Sequence, residues 1–188
     1  MLIALLATNN RIFDNKYTLM YTTQDKRSTI WHWLCIIIGT IFFTGYFPLA
    51  PATVSSFFSL ILVIFLSKNN LIYTVVLVGI VVLGAIIADT LEKVWSKDAR
   101  RITIDECAGI MITFFYLPIR IAETGRINWL LLVIGFILFR IFDISKPLYI
   151  RASEKISGGV GIMLDDIISG IYSNIILRAL LLMFQLIK

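Results

Sequence analysis

The chain has 188 residues, 59% hydrophobic and 15% charged, with a formal charge of +5 and a mean hydropathy of +0.89. An ordinary soluble domain carries about 25% charged residues, and a domain of this size leaves much of its surface exposed, so a water-soluble globule is excluded and the surplus apolar surface faces lipid. The bases lie among acids with no long basic block, which argues against nucleic acid as a partner and suits a cytoplasmic membrane face.

Residues 1–30 read as a polar extension and 31–188 as one membrane-embedded domain. The opening MLIALLATNN lacks a positive n-region and an A-x-A site, so it is not read as a cleaved signal peptide. Apolar runs follow at 30–43, 54–66, 71–88, 108–117, 129–142 and 167–187. None exceeds by much the roughly 20 residues of a simple spanning helix. The expectation is an all-α polytopic bundle of about five to six helices, with about five crossings and one half-inserted segment. Cys35 and Cys107 sit in separate apolar runs without CxxC spacing and read as buried free thiols.

The segment TGYFPLAPATVSS at 44–56 holds Pro48 and Pro51 and cannot continue a regular helix. It is predicted to be a re-entrant or broken loop, covered by protein or lining a wet cavity. Lys68, Asn69 and Asn70 predict a tight polar turn. The stretch 89–106 carries five acids and four bases and reads as a charged loop. The run from 129 reaches Arg140 and Asp143 while still apolar around them, and Lys146 with Pro147 stops it. Ser157-Gly158-Gly159-Val160-Gly161 reads as a flexible link before Asp165 and Asp166 open the last helix, where acids suit the dipole. With the N-terminus, 89–106 and 143–166 on one side, twelve of the 17 bases lie on or beside that face, the positive-inside pattern.

Nine of the twelve acids fall in 89–106 and 143–166. Glu92, Asp98 and Glu154 read equally well as solvated loop charges. Asp89, Asp143 and Asp165 adjoin apolar helix, where a carboxylate costs about 2.5–3.5 kcal/mol at the helix centre and is normally paired or functional. Several together repel unless a cation lies between them. With His32 the single histidine, an oxygen-only set suits Mg²⁺ or Mn²⁺ better than Zn²⁺. Arg140 and Lys146 flank Asp143, and Lys97, Arg100 and Arg101 sit inside the first acidic stretch. Mixed acids and bases around a glycine-rich turn suggest phosphate chemistry, although SGGVG alone reads as well as a flexible loop and is no dinucleotide fingerprint. One histidine cannot supply a phosphohistidine and a second acid, neither cysteine feeds a phosphate loop, and no Asp-x-Asp follows a strand. Metal-activated water remains, with a carboxylate nucleophile as the lesser alternative.

TGYFPLAPATVSS, Asp89 followed by KDARRITIDECAG at 97–109, FRIFDISKP at 139–147 and GGVGIMLDDIISGIY at 158–172 together resemble the bacterial phosphatidylglycerophosphatase A family, over about two thirds of the chain. The resemblance implies a Mg²⁺-dependent phosphatase of the bacterial inner membrane, its site facing the cytoplasm, that converts phosphatidylglycerophosphate to phosphatidylglycerol. Asp105, Glu106, Asp165 and Asp166 would then form the main metal set, with Asp89 and Asp143 completing or orienting it and one of the six carboxylates acting as general base. Arg140, Lys146 and Lys97 would hold the phosphate. Thr44, Tyr46, Thr53, Gly159 and Gly161 would line the substrate. Ala52 and Ser55 stand where the family usually has glycine, the residue that permits positive φ or close backbone approach. The rival is a cation transporter or channel, because buried carboxylates also mark ion paths; against it, the acids gather on one face beside bases. A phosphatidyl-group transferase would need D-x-x-D-G-x-x-A-R, which the chain lacks, and a degenerate member with a structural role is the third alternative.

Overall fold

The computed structural model describes residues 26–95, 100–120, 126–146, 156 and 158–186. The chain divides into two compact units, Met1–Cys35 and Ile36–Lys188, and the candidate site lies within the second. Among the described residues the fold is all-α, as expected: α1 Lys26–Gly39, a 3-10 turn Thr44–Tyr46, α2 Pro51–Leu66, α3 Asn70–Trp95, α4 Ile104–Thr113, α5 Trp129–Ser145 and α6 Gly159–Leu186.

The core is apolar, yet much apolar surface also lies outside it and several hydroxyls are buried. Ile72, Val75, Val78, Val82 and Ile86 recur every three or four residues along α3 and are all more than half exposed, while Ser55, Ser56, Ser59, Thr113, Ser169 and Ser173 are fully buried. Water would penalise that apolar stripe; lipid does not. α3 and the Gly159–Phe184 part of α6 have 26 residues each and contain 18-residue stretches of mean hydropathy 2.8 and 1.8, long and apolar enough to cross a bilayer. α2 and α5, with 16 and 17 residues, measure about 24 and 26 Å and fall short of a hydrocarbon core of about 30 Å.

The predicted break begins earlier than the prolines indicate. α1 stops at Gly39, and the chain turns left-handed through Ile41, Phe42 and Phe43 (φ 43°, 51° and 69°). Thr40 holds this turn: its hydroxyl donates to Ile36 O at 2.7 Å and accepts from Phe43 N–H at 3.1 Å. Pro51 ends the irregular stretch instead of breaking a helix, because at the first helical position its missing N–H would have no partner anyway. Residues 51–56 are therefore helical. Ala52 and Ser55 sit in that helix without positive φ, and the Ser55 hydroxyl donates to Thr103 O at 3.1 Å.

Two other boundaries differ from expectation. α3 runs on through Asp89 and Glu92 to Trp95, since no glycine or proline interrupts it there and Asp89 pairs with Lys93 one turn later at 2.7 Å. Lys97, Asp98 and Glu154 lie outside the described residues. α6 begins at Gly159, so Asp165 and Asp166 belong to its second turn and do not open it. Lys146 stops α5 as expected, in a left-handed C-cap, which fits the exclusion of right-handed helix before a proline.

α4 has ten residues, about 15 Å, so its C-terminal carbonyls need donors at membrane depth. α6 supplies them. Asn174 Nδ2 donates to Thr113 O at 2.9 Å, Phe115 O at 3.1 Å and Ile112 O at 3.2 Å, and Arg178 Nη2 donates to Phe115 O at 2.7 Å. Ile112 O also accepts from Phe115 N–H, so removing Asn174 mainly orphans Thr113 O. Asn174→Leu is expected to destabilise the fold by about 1–3 kcal/mol, read as a lower unfolding temperature in detergent.

Near their site ends α4 and α6 touch through glycine. A Cβ on Gly109 would lie 2.8 Å from Asp166 O, and one on Gly170 would lie 2.5 Å from Gly109 O. Only a residue without a side chain allows that approach.

Candidate active site

Four helices bring carboxylates to one cavity of about 810 Å³, five acids from α4, α5 and α6 and Glu92 from α3. Asp105 and Glu106 occupy the first turn of α4, where negative charge suits the helix dipole. Asp143 lies one turn after Arg140 on α5, and Asp165 with Asp166 lies on α6. The two acidic pairs share a local geometry. Asp105 Oδ1 accepts the N–H of Glu106 at 3.0 Å, and Asp165 Oδ1 accepts the N–H of Asp166 at 3.2 Å. All five acids line the cavity.

Glu106, Asp143 and Asp166 each offer a carboxylate oxygen, and these oxygens lie within 4.8 Å of one another. Arg140 Nη1 bonds both oxygens of Glu106 at 3.0 Å and Asp143 Oδ2 at 2.7 Å. One guanidinium against three carboxylates leaves a net charge of −2 in a mostly buried place. Such an excess is expensive unless a cation is taken up. The all-oxygen donor set fits a hard divalent ion. Asp143, read from sequence as completing or orienting the site, thus stands among the three residues whose oxygens converge.

Lys146 reaches across from the end of α5 to Asp165 Oδ2 at 2.9 Å and lines the cavity, whereas Arg140 sits behind the carboxylates that it bonds. Asp89 lies apart from the triad. Its carboxylate is 44% exposed, pairs with Lys93 and accepts the N–H of Gly159, so it caps the start of α6 from the neighbouring helix. The glycines serve the same junction. Gly158 has φ +87°, a Cβ on Gly159 would run into Ala85 O, and one on Gly161 into Ile156 O.

Of the residues read as substrate-lining, Gly161 borders the cavity. Thr44 donates to Thr40 O at 2.9 Å, and Tyr46 packs edge-on to Trp95 with Arg101 5.2 Å above its ring. Thr53 is exposed, while its neighbours Pro51 and Ala52 form the cavity wall. One residue at the site was not named from sequence. Ser56 donates to Glu106 Oε2 at 2.6 Å; its signal was the spacing of Ser55, Ser56 and Ser59 within an apolar run, which puts hydroxyls where lipid cannot satisfy them. Arg100, named from sequence with Lys97 and Arg101 among the cations of the first acidic stretch, borders the cavity.

A family model described as Phosphatidylglycerophosphatase A matches residues 37–181. An Escherichia coli protein named Phosphatidylglycerophosphatase A is 33% identical over 152 residues, covering 79% of this chain and 81% of its own. A Bacteroides thetaiotaomicron protein, provisionally named a phosphatidylinositol-3-phosphatase, is 37% identical over 152 residues, covering 77% of this chain and 91% of its own. A Haemophilus influenzae protein named Phosphatidylglycerophosphatase A is 37% identical over 84 residues, 44% of this chain and 47% of its own. No solved structure matches the chain.

Proposed function

The chain belongs to the phosphatidylglycerophosphatase A family, and from that premise we propose that it hydrolyses the terminal phosphate of phosphatidylglycerophosphate with the help of Mg²⁺, at the cytoplasmic face of a bacterial inner membrane. The observation that carries the reading is the convergence of Glu106, Asp143 and Asp166 in a cavity that also holds Lys146. Twelve of 17 bases on or beside one face support the orientation.

In this reading Glu106, Asp143 and Asp166 hold Mg²⁺, which when bound supplies Lewis acidity toward the phosphoryl oxygens and lowers the pKa of water. Arg140 and Ser56 keep the Glu106 and Asp143 oxygens aimed into the cavity. Lys146 neutralises charge on the phosphate. Asp105 or Asp165, both beside the triad, takes the proton from the attacking water. The water oxygen bonds to phosphorus as the bond from phosphorus to the glycerol oxygen breaks, and the alcohol leaves carrying a proton. A cation path would instead distribute carboxylates through the bundle, whereas these five and Glu92 share one cavity.

The test is release of inorganic phosphate from short-chain phosphatidylglycerophosphate by the purified protein in detergent. Release is expected, EDTA is expected to abolish it and Mg²⁺ to restore it. The name of the Bacteroides relative motivates a parallel assay with phosphatidylinositol 3-phosphate. Release from that lipid alone would replace the substrate, and release from neither would defeat the phosphatase reading.

A further inference from the structure

The cations around the cavity are not equivalent. Arg140 is bonded to Glu106 and Asp143, and Lys146 to Asp165. Arg100 borders the same cavity, is exposed, and makes no ion pair with any described residue. Its place is fixed from behind. Arg101 lies over the Tyr46 ring, its carbonyl fills the space beside Gly45 where a Cβ would go, and Thr103 N–H donates to Gly39 O at 2.9 Å. These contacts tie the chain immediately after Arg100 to the irregular stretch between α1 and α2. The wall near Arg100 includes Pro51, Ile102 and Ile156, apolar groups suited to the carbon skeleton of a lipid headgroup.

We infer that Arg100 binds the phosphodiester of the substrate, the second phosphate that links the headgroup to the diacylglycerol, while the monoester phosphate lies at the carboxylate triad. The inference rests on the proposed substrate, which carries both groups separated by one glycerol. Glu92 lines the cavity from α3 and five further acids line it from α4, α5 and α6, so the monoester needs a metal at the triad. The diester carries a single negative charge that cannot approach the same acids, and Arg100 is the uncommitted cation among the described residues of the wall. A guanidinium matches a phosphate's paired oxygens. Arg100 thereby selects lipids with a charged diester beside the scissile phosphate over simple monoesters.

The experiment compares wild type, Arg100→Ala and Arg100→Lys in neutral detergent. It measures KM and kcat for short-chain phosphatidylglycerophosphate, the binding constant of short-chain phosphatidylglycerol, which keeps the diester alone, and inhibition by inorganic phosphate, which resembles the monoester alone. For Arg100→Ala, KM and the phosphatidylglycerol dissociation constant are expected to rise together by about tenfold, with kcat and phosphate inhibition changed by less than about twofold, and Arg100→Lys to recover part of the loss. Equal weakening of phosphatidylglycerol and inorganic phosphate would overturn the inference, because it would signal a general field effect. So would unchanged constants in neutral detergent with a loss confined to anionic micelles, which would make Arg100 a membrane-surface contact. If wild-type protein releases no phosphate from phosphatidylglycerophosphate, the proposed substrate fails first, whatever Arg100 does.

Discussion

Asp166→Asn is expected to lower phosphate release by about 10³-fold while the protein stays folded in detergent. Asp166 is 4% exposed and shares the triad with Glu106 and Asp143. Asparagine keeps the shape and one oxygen but removes the charge that draws a cation to this place. A metal ion at a phosphoryl centre contributes several kcal/mol, and each 1.4 kcal/mol is a factor of ten in rate. The same reasoning gives Asp143→Asn a loss of that order. Asp89→Asn should lose about tenfold at most, because the Asp89 carboxylate meets Lys93 and the Gly159 N–H. Turnover at saturating Mg²⁺, together with Mn²⁺ affinity from electron paramagnetic resonance, orders the three. A loss at Asp89 equal to that at Asp143 would return the ligand set to the one read from sequence.

A leucine at Gly109 should disable the site without touching a single carboxylate. Its Cβ would strike the Phe139 ring and sit 2.8 Å from Asp166 O, so α4 and α6 must separate or Phe139 must leave a fully buried position. Overpacking of this kind costs about 1–3 kcal/mol. The kinetic effect is expected to be larger, about 10²-fold or more, because Glu106 lies one turn before Gly109 and moves away from Asp166 as the helices part. Displacements of about 1 Å are enough for such losses. Gly79→Leu is the control on α3: nothing lies within 4 Å of a Cβ there, and activity and unfolding temperature should stay near wild type. Similar damage from both substitutions would mean that helix propensity, not the crossing, governs the result.

The sequence made the helices legible because lipid demands long apolar runs, and the six runs correspond to the six α-helices among the described residues. It was least reliable where charge or glycine was taken as loop. Asp89 and Glu92 are helical because a membrane helix carries charges at its ends without breaking. Gly159 and Gly161 are helical because their lack of Cβ serves an approach to Ala85 O and Ile156 O, a need set by another segment. The acids of the cavity were legible as types and positions; their division of labour was not. Arg140 and Asp143 could be paired from their spacing, but only the packing of α4 against α5 gives Arg140 to Glu106 as well. Ser56 escaped because a hydroxyl in an apolar run has no local pattern that names its partner. The break between α1 and α2 was visible through its prolines, although its strain lies earlier, at Ile41–Phe43, where no glycine announced it.

The three donors of the triad come from three different helices, Glu106 on α4, Asp143 on α5 and Asp166 on α6. An ion held between them would therefore act as a cross-link between segments far apart in the chain. Binding confined to the folded state adds RT ln(1 + [M]/Kd) to stability, about 2.7 kcal/mol when the free ion is a hundred times its dissociation constant. Without the ion, Arg140 still ties Glu106 on α4 to Asp143 on α5, and Asp166 is left facing both. Supply of the divalent ion would then govern how much of the protein survives proteolysis as well as how fast each copy turns over.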